Sequence, residues 1–136
     1  MFGLLLSLLA CDESAPKVAV DAPSPDRNLP ALKEGLNEAL LMWNGAQTEQ
    51  AQAILEQAYT EYFEPLESDL RASGVDTLPI EYDFGRIGWR MRRAPSSRRG
   101  DSEELSGLLL VLEHDIEAAF AALPVAPEKQ HSPQDP

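Results

Sequence analysis

Apolar residues recur along this chain at the three-and-four spacing of a single helix face, and no segment shows the alternation of a half-buried strand. The cleanest run is 51–74. Ala51, Ile54, Leu55, Ala58, Tyr59, Tyr62, Phe63, Leu66 and Leu70 fall on one side, while Glu56, Glu61, Glu64, Glu67 and Arg71 collect on the other. Pro65 removes a backbone donor and crowds the preceding turn, which predicts a kink beside Phe63 and Glu64. The apolar period continues through Leu66 and Leu70, so the helix is expected to run on to Gly74, a left-handed stop.

Three further stripes flank this one. The first helix is expected from an N-cap at Asn28, with Pro30 in its first turn and Leu32, Leu36, Ala39, Leu40 and Trp43 on its inner face; Gly45 ends it and Thr48 caps the next. Asp76, Thr77 and Pro79 open a third helix whose stripe is Ile80, Phe84, Ile87 and Met91, with acids early and arginines late, as the helix dipole favours. Pro95 and Gly100 mark a loop. Asp101 and Glu104 then suggest a capping box for a fourth helix with Leu105, Leu108, Leu109, Leu112, Ile116, Ala119, Phe120 and Leu123 inside and Pro124 at its close. Short connections between amphipathic helices predict an all-α, up-down-up-down four-helix bundle over residues 28–123. A weak echo between residues 80–84 and 112–116, aliphatic-Glu-x-Asp-apolar in both, hints at two related hairpins.

The ends read differently. Residues 1–10 form an apolar run of signal-peptide length, well short of the ~20 residues that span a bilayer. Leu8-Leu9-Ala10-Cys11 resembles a bacterial lipobox, which implies cleavage before Cys11 and lipidation of its thiol and new amino group. Cys11 is the sole cysteine in 136 residues, so it has no intrachain disulfide partner. Residues 11–27 have the proline-rich, apolar-poor composition of a flexible tether, and 124–136 that of a disordered tail. The expected location is therefore the cell envelope, with the domain facing the periplasm or exterior and anchored to the membrane by lipid.

Charge narrows the partners. The chain has 23 acids against 11 Lys and Arg, a net −12, which argues against nucleic-acid binding. The positive residues are clustered: Arg86, Arg90, Arg92, Arg93, Arg98 and Arg99 occur in a stretch without one acid. On the back of the third helix Tyr82, Arg86, Trp89 and Arg93 recur at i, i+4, i+7 and i+11. These residue types are enriched at interface hot spots and stack by cation–π contact, so the face is a candidate partner-binding surface; the alternative is that Trp89 packs under a loop or bundle edge.

Catalytic signals are missing. There is no Gly-x-Ser-x-Gly elbow and no phosphate-binding glycine loop, and the chain is not read as an enzyme. Haem is disfavoured because Met42 and His114 point away from their apolar stripes and no C-x-x-C-H occurs. Inward carboxylates on facing helices are the bundle route to metal binding. Glu64 with Glu67, and Glu113 with Glu117, each stand about one turn apart and are the candidate cation ligands, set against the alternative of solvated acidic faces. His114, in the fourth helix, has Val111 rather than Glu three residues before it, so the di-iron Glu-x-x-His signature is absent from the predicted helices.

Ala58-Tyr59, Phe63-Glu64-Pro65-Leu66-Glu67 and Leu70-Arg71, followed by Ile80-Glu81, Phe84, Ile87 and Arg90, resemble the extracytoplasmic helical domain of bacterial high-affinity iron permeases. The similarity covers roughly residues 51–93, with a looser echo over 111–123. The Arg-Glu-rich motifs of the permease's membrane helices are absent, and Gly88-Trp89 stand where that family tends to have Leu-Arg, so transport is not implied. The resemblance implies a stand-alone accessory module that presents iron or another cation, weakly bound, or docks to an iron permease, with Glu64 and Glu67 matching the family's acidic pair. The rival is a metal-free interaction module that docks through Tyr82, Arg86, Trp89 and Arg93.

Overall fold

The computed structural model describes residues 22–93 and 99–124. These are all-helical, without a strand among the described residues: α1 (Pro25–Asn44), α2 (Thr48–Ala58), a π-helical turn (Tyr59–Phe63), α3 (Glu64–Ala72), α4 (Leu78–Arg93) and α5 (Arg99–Ala121). Helix α1 packs on α2 and α5, and α4 packs on α5 and α2. The predicted stripes supply the core: Leu32, Leu36, Ala39 and Trp43 meet Leu55, Phe63, Leu66 and Leu70, Ile80, Phe84, Ile87 and Met91, and Leu109, Leu112, Ile116 and Phe120. Phe63 sits at the centre, stacked near-parallel on Phe120 at 6.3 Å and tilted against Phe84 at 5.9 Å.

The expected kink is a π turn. Pro65 has no N–H for the Glu61 carbonyl, and the helix answers by widening, with the Glu64 N–H bonding to the Tyr59 carbonyl five residues back. Helical geometry then resumes through α3. Asn28 belongs to this solution rather than to a cap. Helix α1 starts a turn earlier, with Ser24 extended at the N-cap position, and Asn28 is buried with its Nδ2 donating to the Tyr62 carbonyl at 3.0 Å. A buried amide and a carbonyl of the irregular turn thus satisfy each other.

Other caps also differ from expectation. Gln47, not Thr48, holds the N-cap position of α2, and α5 starts at Arg99, which places Asp101 inside the first turn. Helix α1 closes in a Schellman motif, with Gln47 N–H to Met42 O at 2.9 Å and Ala46 N–H to Trp43 O at 3.0 Å. The left-handed residue there is Ala46 (φ 61°), one position beyond Gly45 (φ −81°). The same motif ends α3 with the glycine in register: Val75 N–H reaches Leu70 O, Gly74 N–H reaches Arg71 O, both at 3.0 Å, and Gly74 has φ 84°.

Trp43 joins two helix ends. Its buried Nε1 donates to the Met91 carbonyl at 3.2 Å, in the last turn of α4 where a carbonyl lacks its intrahelical donor. Gly35 faces Ala58 so closely that a Cβ on it would lie 3.0 Å from the Ala58 Cβ, which sets the near approach of α1 to α2.

Candidate functional site

Two surfaces draw on the residues singled out in the sequence, and they differ in how fully the chain itself satisfies them. The first is the corner where α3 turns into α4. Thr77 is buried at the N-cap position of α4, its carbonyl accepting from the Glu81 N–H at 3.0 Å, while Asp76 Oδ1 accepts from the Leu78 N–H at 3.2 Å. The Thr77 hydroxyl donates to Glu81 Oε1 at 2.8 Å and accepts from Arg71 Nε at 3.0 Å. Arg71 Nη2 then bridges Glu67 Oε1 at 2.6 Å and Glu81 Oε1 at 2.9 Å.

Two carboxylates here face one guanidinium and one hydroxyl. A hydrogen bond donated to Glu81, with burial behind it, holds the Glu67 carboxyl above its usual range, and the same bond together with Thr77 and Arg71 holds Glu81 below it. Burial, then the charges of Glu67 and Glu81, push the nearby Tyr59 phenol up. No buried side-chain polar atom at this corner lacks a partner. Its chemistry is that of a clasp between two helices.

The cation ligands expected from the sequence are not gathered by the fold. Glu64 is exposed on α3, and Glu67 pairs with Arg71, which also holds Glu81, a convergence the sequence does not point to. Glu113 is half-buried on α5, and Glu117 pairs with Lys33 of α1. That bond lowers the Glu117 carboxyl and raises the Lys33 ammonium. Among the described residues no group of three or more His, Cys, Asp or Glu is close enough to hold a metal ion. The four carboxylates are therefore not brought together as one ligand set. Cys11 lies outside the described residues.

The second surface is the outer face of α4. Its inner stripe of Ile80, Phe84, Ile87 and Met91 is buried, and Gly88 is the contact with α2, where a Cβ would meet Leu55 Cδ2 at 3.6 Å. The opposite side carries the partner-binding candidates. Tyr82 is 69 % exposed and Trp89 49 %, so Trp89 is covered by neither loop nor bundle edge among the described residues. The Arg93 guanidinium lies 5.2 Å from the Trp89 ring centre. Arg86 reaches Asp83 at 4.0 Å, and Arg90, beside this face, pairs with Glu104. Between the two aromatic rings stands Gly85, where a Cβ would meet nothing within 4 Å. Sequence spacing gave the aromatic and arginine residues of this face, and the glycine's part in it needed the structure.

No protein-family model, no curated protein and no solved structure matches the chain. The resemblance to the iron-permease accessory domain rests on the residues quoted for it alone. No described helix is long and apolar enough to cross a membrane.

Proposed function

We propose that this protein is a non-catalytic docking module of the bacterial cell envelope, an up-down-up-down bundle tethered by lipid at Cys11, which presents the outer face of α4 to a partner protein. The observation that carries this reading is the exposure of Tyr82 and Trp89 on a helix whose other face already completes the core. Large aromatic side chains left in water on a rigid element lose apolar burial, and a partner that covers them recovers it. The metal-free reading is favoured over the cation-presenting one because Glu67 is committed to Arg71 and Glu81, and Glu117 to Lys33. An accessory role in iron uptake then runs through docking, and the resemblance makes an iron permease the first partner to test.

The test is crosslinking and co-purification from membranes of the native host. Cys11→Ser should release the protein from the membrane fraction, because the apolar run without lipid gives no stable anchor. Trp89→Ala should keep the protein folded and membrane-bound but lose the crosslinked partner. Equal crosslinking by wild type and Trp89→Ala rejects the α4 face, and a Cys11→Ser protein that stays membrane-bound rejects the anchor.

A further inference from the structure

Around the outer face of α4 the charge runs against the rest of the chain. In a protein with 23 acids to 11 Lys and Arg, α4 carries Arg86, Arg90, Arg92 and Arg93 with no acid after Asp83. Arg92 and Arg93 have no carboxylate partner among the described residues, although acids outnumber bases overall. Arg93 lies over Trp89 instead, which holds its guanidinium beside the aromatic face.

Shape adds a second observation. The missing side chain at Gly85 leaves a depression of about 560 Å³ lined by Tyr82, Gly85, Arg86, Trp89 and Arg90. Two aromatic rings wall it and guanidinium groups rim it. Glycine lowers helix stability by roughly 0.5–1 kcal/mol relative to alanine, and no neighbour here requires its small size. The space above it is what the residue provides.

We propose that this notch seats one apolar or aromatic side chain from an acidic segment of a partner protein, whose flanking carboxylates engage Arg86 and Arg93. The inference rests on the docking reading and names the chemistry of the partner. A carboxylate pairs with a guanidinium through two parallel hydrogen bonds, and the apolar anchor covers the exposed rings. A second copy docked through the same face opposes arginine to arginine. A bilayer surface leaves the notch unfilled, and it meets a domain that is otherwise acidic.

The test pans a displayed library of random short peptides against the full chain, then measures anisotropy of an enriched peptide with wild type, Gly85→Gln, Arg93→Glu and Trp89→Ala. The expected pool is rich in Asp and Glu around one Leu, Phe or Trp, with affinity that falls as salt is raised. Gly85→Gln should weaken binding by at least about tenfold, the scale of an interface hot spot. It should melt no lower than wild type, since it replaces a glycine inside a helix. A neutral or basic pool that still depends on Trp89 overturns the acidic partner and leaves the docking reading standing. Peptides that bind Trp89→Ala as tightly as wild type overturn both. Acidic peptides indifferent to Gly85→Gln overturn the notch. Trp89-dependent binding to phosphatidylglycerol vesicles, or Trp89-dependent self-association, with no peptide enriched, overturns the proposal in favour of that occupant.

Discussion

The end of α1 offers a test in which composition stays fixed and only position changes. Gly45 has φ −81°, which any residue adopts, while Ala46 is left-handed at φ 61°. Exchanging them, Gly45→Ala with Ala46→Gly, moves the glycine one step to the site that needs it. A left-handed conformation costs a residue with a Cβ roughly 1–2 kcal/mol, and that strain is removed. The unfolded chain gains one glycine and loses one, so its entropy barely changes and the usual offset to a glycine substitution cancels. At position 45 the new Cβ would sit 3.4 Å from Met42 O and 3.5 Å from Leu41 O, ordinary contact distances. The double variant should therefore gain about 1–2 kcal/mol by urea denaturation, with a Tm rise of roughly 4–8 °C for each kcal/mol in a domain of this size. A Tm equal to or below that of wild type refutes the placement of the left-handed residue, and with it the Schellman closure that hands the chain from α1 to α2.

Three shorter predictions probe the core and the clasp. Leu66→Ala truncates a side chain only 1 % exposed and should cost about 2–5 kcal/mol in urea melts; a cost under about 1 kcal/mol would place Leu66 outside the core. Asn28→Ala leaves the Tyr62 carbonyl without its donor and should cost about 1–3 kcal/mol, whereas a surface N-cap role would bring a smaller loss confined to helix fraying. For Glu67→Gln the sign follows from linkage. The folded protein holds the Glu67 proton more tightly than the unfolded chain, whose value is near 4.5, so its contribution to stability falls as pH rises through the raised folded pKa. The stability of Glu67→Gln relative to wild type should rise between pH 4 and pH 7; a difference that is flat or falls with pH contradicts the raised Glu67 carboxyl.

The periodic stripes made most of the fold legible. Leu32, Leu36, Ala39 and Trp43, like Ile80, Phe84, Ile87 and Met91, fall where apolar spacing places them, because burial of one face is what holds such helices together. Features decided by backbone hydrogen bonding were harder to read. Asn28 looks like a cap in sequence since Asn caps helices often, yet its side chain here serves a carbonyl of a π turn that lies far away in the chain. Glu67 and Glu81 each sit beside a stripe, and only the chain reversal at residues 73–77 brings both to Arg71 and Thr77. The aromatic and arginine positions on α4 were legible because a second stripe opposite the core stripe needs no tertiary information. The depression at Gly85 was not, since a glycine in a helix reads equally as close packing, and Gly88 on the same helix is buried facing Leu55 of α2.

The π turn itself is open to a deletion experiment, because besides accommodating Pro65 it meets a problem of spacing. The buried residues through α2 and α3 are Ala51, Leu55, Ala58, Phe63, Leu66 and Leu70, and the step from Ala58 to Phe63 is one residue longer than an α-helical face allows. At 3.6 residues per turn, a five-residue step rotates a side chain about 140° off the stripe, whereas a turn closed by i→i−5 bonds brings it back. Deleting the exposed Thr60 shortens that step to four, which an ordinary α-helix accommodates within about 40°. The deletion variant should fold with full helical ellipticity, and its cost should be limited to the Asn28 to Tyr62 bond, about 1–3 kcal/mol. Deleting the exposed Asn37 is the control: it cuts the step from Leu36 to Ala39 to two, turns Ala39 and Trp43 about 100° away from their places in the core, and should abolish cooperative unfolding. If the two deletions are equally damaging, the π turn is not a response to spacing, and the proline at position 65 must be the sole reason the helix widens there.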